Sequence, residues 1–543
     1  MSGKHATHRM VRRDFLKWAG AAAGAAAAWP ILEGNAQSGQ APSSKKPDKL
    51  VLVVFEEPSN AFLLKAADKF QKDYGIKVER VQVPDKEYFE KCVAMFTAKD
   101  QIDCLFVRDE YLANWVAAGF IEPMTGSEGV DKYKGLLSPS AWQHANYKNQ
   151  FWGVPYFTGL FTIWYYEEKF KKAGLTRLPG TWDELAEHCL KAKKDGVCKY
   201  PILNPLRLGP MHQPWNFFQL VWAQGGTIFD KDGNHTLGPG SQARKTLEWW
   251  RKTYLQWQIA DPKSIGMGYY PAYKALWTGE YLYHFFAMDY TLSMVNNPAD
   301  NKLPARIRNF KMPGNHKVLA WVRLYGRGYT GVSKEWSWIL MQYLGGKDKD
   351  GDLYGPRLLI SDAAKEGMGL LQPYPSLMRE DAVRKLWGQY CDWDLVMDAY
   401  ANSSHVSACV GAFYEPWYYE WQDHFQVQIE QCLQGKLTSD QAMDAAIAKV
   451  NELKRNTGKV FKFGSKPALL VHTTDGEWKA YTAVCTHLNC TVQYREDFHQ
   501  IWCACHNGFY DLSGRNVSGP PPRPLEAFEV HIQGEDVIVS RSG

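Results

Sequence analysis

Leu50-Val51-Leu52-Val53-Val54-Phe55 is an unbroken apolar run rich in β-branched side chains, with the length and composition of a buried strand. Residues 61–74 follow with apolar positions at helical spacing, and Gly75 stops them. Residues 76–83 alternate like a strand, residues 88–98 are helical again, and Cys104-Leu105-Phe106-Val107 is another buried strand. Strand, helix, strand, helix, strand predicts a parallel α/β sheet.

The same logic continues downstream in longer segments. Residues 162–166 read as a strand, and Thr181 caps a helix that opens on Trp182-Asp183-Glu184. Residues 215–223 and 241–254 are helical, and residues 281–288 are apolar. Leu437-Thr438-Ser439-Asp440 opens a capped amphipathic helix that runs to Leu453. Asn456-Thr457-Gly458-Lys459 is the expected domain junction, because residues 460–543 switch to short strands and turns.

A chain of 543 residues has room for two to four such domains. The net charge of +5 comes without a long basic run, which leaves nucleic-acid binding without support. No segment beyond the N-terminus is apolar for long enough to span a bilayer. The 22 Trp and 29 Tyr can fill a core, but their flat faces also suit a binding cleft. No Gly-rich phosphate loop and no nucleophile elbow is present. No two histidines lie four or five positions apart, so the close His pair of an oxygenase iron site is absent.

The N-terminus reads as an address. Arg12-Arg13-Asp14-Phe15-Leu16-Lys17 precedes an Ala- and Gly-rich stretch, and Gly34-Asn35-Ala36 offers small residues for cleavage. This resembles a twin-arginine (Tat) signal, which implies export of a folded chain to the periplasm. Cleavage is expected after Ala36, and an uncut signal would leave a membrane anchor. Residues 37–47 then form a flexible tether.

Cys485-Thr486-His487-Leu488-Asn489-Cys490 is followed, with fifteen residues between His487 and Cys503, by Cys503-Ala504-Cys505-His506. Two thiolates and two imidazoles can hold the two irons of a mixed-ligand cluster. They also suit tetrahedral Zn²⁺, but zinc leaves unexplained the two extra cysteines, the Gly519-Pro520-Pro521-Pro522-Arg523-Pro524-Leu525 stretch and the export signal. Residues 460–540 resemble the Rieske proteins of cytochrome bc-type complexes. The resemblance implies a 2Fe–2S cluster on Cys485, His487, Cys503 and His506, and a Cys490–Cys505 disulfide between the ligand loops. It also implies a hydroxyl of Tyr510 bonded to a ligand sulfur, and a cover made by Leu488, Gly519, Pro520 and Pro521. One position departs from the pattern. Gly508 stands where the family has a serine donating to a cluster sulfur. Such bonds favour the reduced, more negative cluster. The expected potential therefore lies below the top of the Rieske range of about −150 to +300 mV, and Gly508→Ser is expected to raise it.

Residues 48–455 resemble the extracellular solute-binding proteins of sugar-type ABC transporters. The resemblance rests on local patterns in a shared order. They include Phe55-Glu56-Glu57-Pro58, Tyr74-Gly75-Ile76-Lys77-Val78, Ile102-Asp103-Cys104-Leu105, Ala117-Ala118-Gly119-Phe120-Ile121-Glu122-Pro123, Gly153-Val154-Pro155-Tyr156, Thr181-Trp182-Asp183-Glu184-Leu185 and Leu433-Gln434-Gly435-Lys436-Leu437-Thr438. It implies two α/β lobes joined by hinge strands, with ligand in the cleft. Glu56, Glu57 and Asp109 follow strand ends, where such clefts bind. Tyr156, Tyr166, Trp215, Trp277 and Trp417 are candidate stacking faces for a sugar-like solute.

The expected chain is thus a signal (1–36), a tether (37–47), a two-lobed α/β periplasmic binding fold (48–455), a linker (456–459) and a small all-β Rieske domain (460–543). Its expected partners are a small solute, an ABC permease and a periplasmic redox protein. The alternative is an electron-transfer subunit of a periplasmic oxidoreductase, with the binding fold as a docking scaffold. Seven further cysteines, an odd number, leave at least one unpaired within the chain. Cys189 and Cys198 flank one helix end and are either a disulfide or two free thiols.

Overall fold

The computed structural model describes Thr7–Val11 and residues 44–541, apart from 58, 85–86, 210–212, 416, 465, 497 and 534–535. The signal motif and cleavage site lie outside the described residues, as does most of the tether. The described chain divides into two compact units. The larger holds residues 44–414 and 425–443, and the smaller holds Thr7–Val11, residues 415–424 and residues 444–541.

In the larger unit, Lys49–Phe55 runs parallel to both Lys77–Val83 and Cys104–Val107. The helix Asn60–Tyr74 buries Phe62, Leu63, Ala66, Ala67 and Phe70. It ends where Gly75 turns left-handed (φ 62°) and its N–H reaches the Gln71 carbonyl. The sheet then becomes mixed. Val318–Gly328 pairs antiparallel with Cys104–Val107, and Gly153–Tyr166 pairs antiparallel with Val318–Gly328.

Those last two strands join two lobes. The first half of Gly153–Tyr166 pairs with Val318–Gly328, and the second half pairs with Tyr283–Met288 and Ile307–Phe310. All fourteen of its residues are buried. Only its last five read as strand in the sequence, because Gly153, Pro155 and Gly159 look like turn signals. They serve close approach instead. A Cβ on Gly159 would fall inside the Trp321 indole, and one on Gly153 would meet the Tyr325 carbonyl. Gly159→Ala is therefore expected to cost about 1–3 kcal/mol through overpacking, read as a lower denaturant midpoint with unchanged slope.

Among the described residues, the seven cysteines outside the C-terminal motif are all free and buried, Cys189 and Cys198 included.

The smaller unit is all-β beyond its helical segments. Thr457–Phe463, Lys466–His472, Trp478–Thr482, Ala527–Gln533, Asp536–Ser540 and Thr7–Val11 form an antiparallel sheet. A second sheet holds Gln493–Arg495, Gln500–Cys503, Gly508–Tyr510 and Asn516–Ser518. A core of Leu469, Val471, Tyr481, Val492, Ile501, Tyr510 and Leu525 includes residues from both. The anticipated linker at 456–459 is largely strand, since Thr457, Gly458 and Lys459 pair with His472, Val471 and Leu470. Gly458 makes room for the Tyr494 side chain and is not a turn residue.

Candidate metal centre and solute cleft

In the smaller unit, two loops present the cysteines and histidines of the C-terminal motif. The first follows Trp478–Thr482 and folds back on itself, with the Cys485 N–H on the Cys490 carbonyl (2.7 Å). The second joins Gln500–Cys503 to Gly508–Tyr510. Asn489 (φ 60°) and Asn507 (φ 54°) take left-handed turns in the two loops, a conformation asparagine tolerates. A disulfide between Cys490 and Cys505 fastens one loop to the other.

Cys485 and Cys503 are each 2% exposed, and each sulfur accepts backbone N–H groups from its own loop. Burial works to raise the Cys485 thiol. The Tyr510 hydroxyl and the N–H groups of His487 and Leu488 outweigh it, holding that thiol below its usual range. Burial, together with the neighbouring Cys485 sulfur, pushes Cys503 up. The Tyr510 hydroxyl accepts the Thr486 N–H at 3.0 Å and lies 3.3 Å from the Cys485 sulfur and 3.2 Å from Thr486 Oγ1, the two acceptors within reach of its proton. The His487 and His506 rings lie 4.8 Å apart between centroids, at 84°. His487 Nδ1 is buried without a hydrogen-bond partner. Two buried thiols and two imidazoles, one with an orphaned nitrogen, fit a two-iron cluster of mixed ligands.

The proline stretch expected to cover the cluster packs against the second loop. Gly519 turns left-handed (φ 83°) against Asn507 and Gly508, and Pro521 is buried. Leu488 is 62% exposed on the outer side. A Cβ on Gly508 would stand 2.5 Å from Pro521 Cγ. The proline loop thus fills the space a serine would need, and Gly508→Ser must displace Pro521 before it can add a donor. The sequence could not show this, because the clash joins positions thirteen residues apart.

In the larger unit, the candidate cleft residues separate into two groups. Glu57 and Tyr156 meet at the crossing of the hinge strands, beside Arg323. Glu57 lies 3.3 Å from the Arg323 guanidinium, which sits within 5.5 Å of the Phe55, Phe106 and Phe157 ring centres. Arg323 stands where the ladder between the hinge strands slips register, a bulge that re-aims its side chain. Burial opposes the charge, yet Glu57 and the other acidic neighbours hold Arg323 protonated. Glu57 Oε1, Arg323 Nε, Glu110 Oε2, the Tyr156 hydroxyl and Trp321 Nε1 are buried with no hydrogen-bond partner. Trp215 joins this region through ring contacts with Phe161, which packs on Trp321.

The remaining candidates are engaged elsewhere. Asp109 accepts the Val322 N–H (2.9 Å) and contacts His405 (2.8 Å). Tyr166 donates to Glu168, and Trp277 donates to the Val295 carbonyl (3.0 Å). Glu56 is exposed, and Trp417 belongs to the smaller unit, under the Lys454 ammonium. Arg323, Glu110 and Trp321 escaped the sequence reading. The available signal was Arg323, a single charge inside the apolar stretch 318–325 of the strand Val318–Gly328, since a charge in a buried strand needs a reason.

The model of the bacterial extracellular solute-binding proteins matches residues 56–352, and that of the Rieske [2Fe-2S] domain matches residues 444–529. The chain is 33% identical over 99 residues to the cytochrome b6-f complex iron-sulfur subunit of Chlorobaculum thiosulfatiphilum, covering 18% of this chain and 54% of that one. It is 27% identical over 193 residues to a binding protein of Brucella abortus, covering 34% and 43%. The matches thus span about half the length of these relatives. Among solved structures, maltose-bound MalE3 of T. maritima superposes with a TM-score of 0.61 at 18% identity, covering 75% of this chain and 99% of that one. The ribitol-bound solute-binding protein of Agrobacterium radiobacter K84 superposes with a TM-score of 0.60 at 18% identity, covering 75% and 98%. At such identities the superposition establishes only the fold of two α/β lobes, while the family model and the iron-sulfur subunit relatives establish the C-terminal Rieske domain and its 2Fe–2S cofactor.

Proposed function

Because the chain belongs to the bacterial extracellular solute-binding protein family, we propose that it captures a small polyhydroxylated solute between its lobes and carries a one-electron centre in the same polypeptide. The observation that carries this reading is the set of unpartnered buried polar atoms at the hinge crossing. Leaving such groups unpaired costs about 1–3 kcal/mol each, and hydroxyl groups of a ligand can satisfy carboxylate, guanidinium and indole alike. Arg323 and Glu57 would then orient the solute, with Tyr156 and Trp321 as further contacts. An ABC permease would receive it. The twin-arginine motif supports export of the folded chain to the periplasm. Among the described residues no helix is long and apolar enough to cross a membrane.

Cys485 and Cys503 would hold one iron and His487 and His506 the other, and the bound cluster supplies one-electron exchange. Tyr510 would donate to the Cys485 sulfur. Gly519, Pro520 and Pro521 would exclude water on one side. Exposed His506 would face a periplasmic redox partner. Tyr510→Phe removes one net hydrogen bond of about 0.5–1.5 kcal/mol, so the potential is expected to fall by about 20–65 mV in voltammetry.

Thermal unfolding of the full chain against a panel of neutral sugars and polyols tests the receptor half. A ligand at about a hundred times its Kd stabilises by about 2.7 kcal/mol, which raises the melting temperature. If none of the panel shifts the transition while a redox protein binds tightly, the scaffold reading replaces this one. Electron paramagnetic resonance of the reduced protein, with and without the solute found, reports whether capture reaches the cluster.

A further inference from the structure

Asp109, His144 and His405 come from three distant parts of the larger unit. Asp109 opens the helix Asp109–Ala117, His144 lies in the helix Pro139–Ala145, and His405 ends the strand Ser403–His405. One donor atom of each lies within 4.8 Å of the other two. All three side chains are buried, at 2%, 0% and 0% exposure.

The remote nitrogens of both imidazoles are already oriented. His144 Nδ1 is 2.9 Å from the Tyr414 hydroxyl, and His405 Nδ1 is 2.9 Å from Ser407 Oγ. Partners on the far nitrogen are the usual support of a metal-bound histidine. The near nitrogens are left for the centre of the cluster. His405 Nε2 faces Asp109 Oδ2 at 2.8 Å, and His144 Nε2 is buried with no partner at all. The two rings lie 4.9 Å apart between centroids, inclined at 22°.

We propose that Asp109, His144 and His405 bind one divalent transition ion of borderline softness, of the Zn²⁺ or Fe²⁺ class, in the solute-binding unit. Two imidazoles and one carboxylate suit such ions better than Mg²⁺ or Ca²⁺, which prefer oxygen throughout. Binding frees the His405 Nε2 lone pair when that proton moves to Nδ1, which gives up the bond it accepts from the Ser407 N–H (3.3 Å) and donates instead to Ser407 Oγ. The net charge of the imidazole is unchanged. Asp109 also accepts the Val322 N–H on the hinge strand, so the ion ties the helix Asp109–Ala117, the helix Pro139–Ala145 and the strand Ser403–His405 to the base of the hinge.

The test uses the full chain, stripped with chelator, equilibrated with Zn²⁺ and desalted. Elemental analysis is expected to find one more zinc per chain in the wild type than in His144→Gln, whatever the C-terminal loops hold. Zn²⁺ is expected to raise the melting temperature of the wild type and to leave His144→Gln unchanged. Anomalous scattering at the zinc edge on wild-type crystals is expected to give a peak beside Asp109, and this measurement stands even if the variant does not fold. Equal zinc in both proteins, or an anomalous map without that peak, overturns the site.

Discussion

Arg323→Met is expected to abolish solute capture, with affinity falling by about thirtyfold or more, since losing one member of a buried charge pair costs about 2–5 kcal/mol in binding. The same change takes the cation from Glu57, whose side chain is 15% exposed, and from the three aromatic rings packed on it. Breaking a buried pair in that way costs about 3–5 kcal/mol of stability. Weak capture alone would therefore not separate a contact with solute from damage to the lobe. The pair Arg323→Met with Glu57→Gln separates them. It removes both charges, so the melting temperature should recover toward the wild type. The guanidinium donors remain absent, so isothermal titration with the solute should still show no binding. If the double variant binds as tightly as the wild type, Arg323 is only a structural cation and the cleft lies elsewhere.

The cluster loops were legible because their chemistry is local. Cys485, His487, Cys490, Cys503, Cys505 and His506 sit within twenty-two residues, and the distances they must span are fixed by two short hairpin-like loops. The opening strands and helices were legible for the same reason: the helix Asn60–Tyr74 and the strand Cys104–Val107 announce themselves through period and punctuation. What stayed hidden was set by long-range packing. Gly153 and Gly159 look like breaks until Tyr325 and Trp321 are brought against them. Asp109 looked like a cleft carboxylate because it follows a strand end, yet Val322 and His405, more than two hundred residues away, take its oxygens. Sequence spacing excluded a close histidine pair, but spacing constrains only histidines on one element. His144 and His405 meet through the fold.

Asp289→Asn carries the second large expected effect, and its sign follows from burial. Asp289 is 1% exposed at the end of the strand Tyr283–Met288. Its Oδ1 accepts from Thr162 and from Trp164 Nε1 (3.1 Å), while Oδ2 has no partner. Burial outweighs those two donors and raises the carboxyl from 3.8 to about 6. The folded chain therefore binds a proton that the unfolded chain has lost between those values. Stability falls as pH rises from about 3.8 to about 6 and is level, for this group, above that window. The ionised carboxylate costs up to about 3 kcal/mol at neutral pH, since each tenfold change in proton affinity is worth about 1.36 kcal/mol. Asparagine keeps Oδ1 for Thr162 and Trp164 but leaves an unpaired amide N–H₂, which takes back about 1 kcal/mol or more. The net expectation is a gain of about 1–2 kcal/mol at pH 7 and none below pH 4. Denaturant midpoints of the two proteins measured from pH 4 to pH 8 should diverge through that window and then run parallel. Curves that stay parallel throughout would mean Asp289 is ionised in both states, with water or a cation reaching its second oxygen.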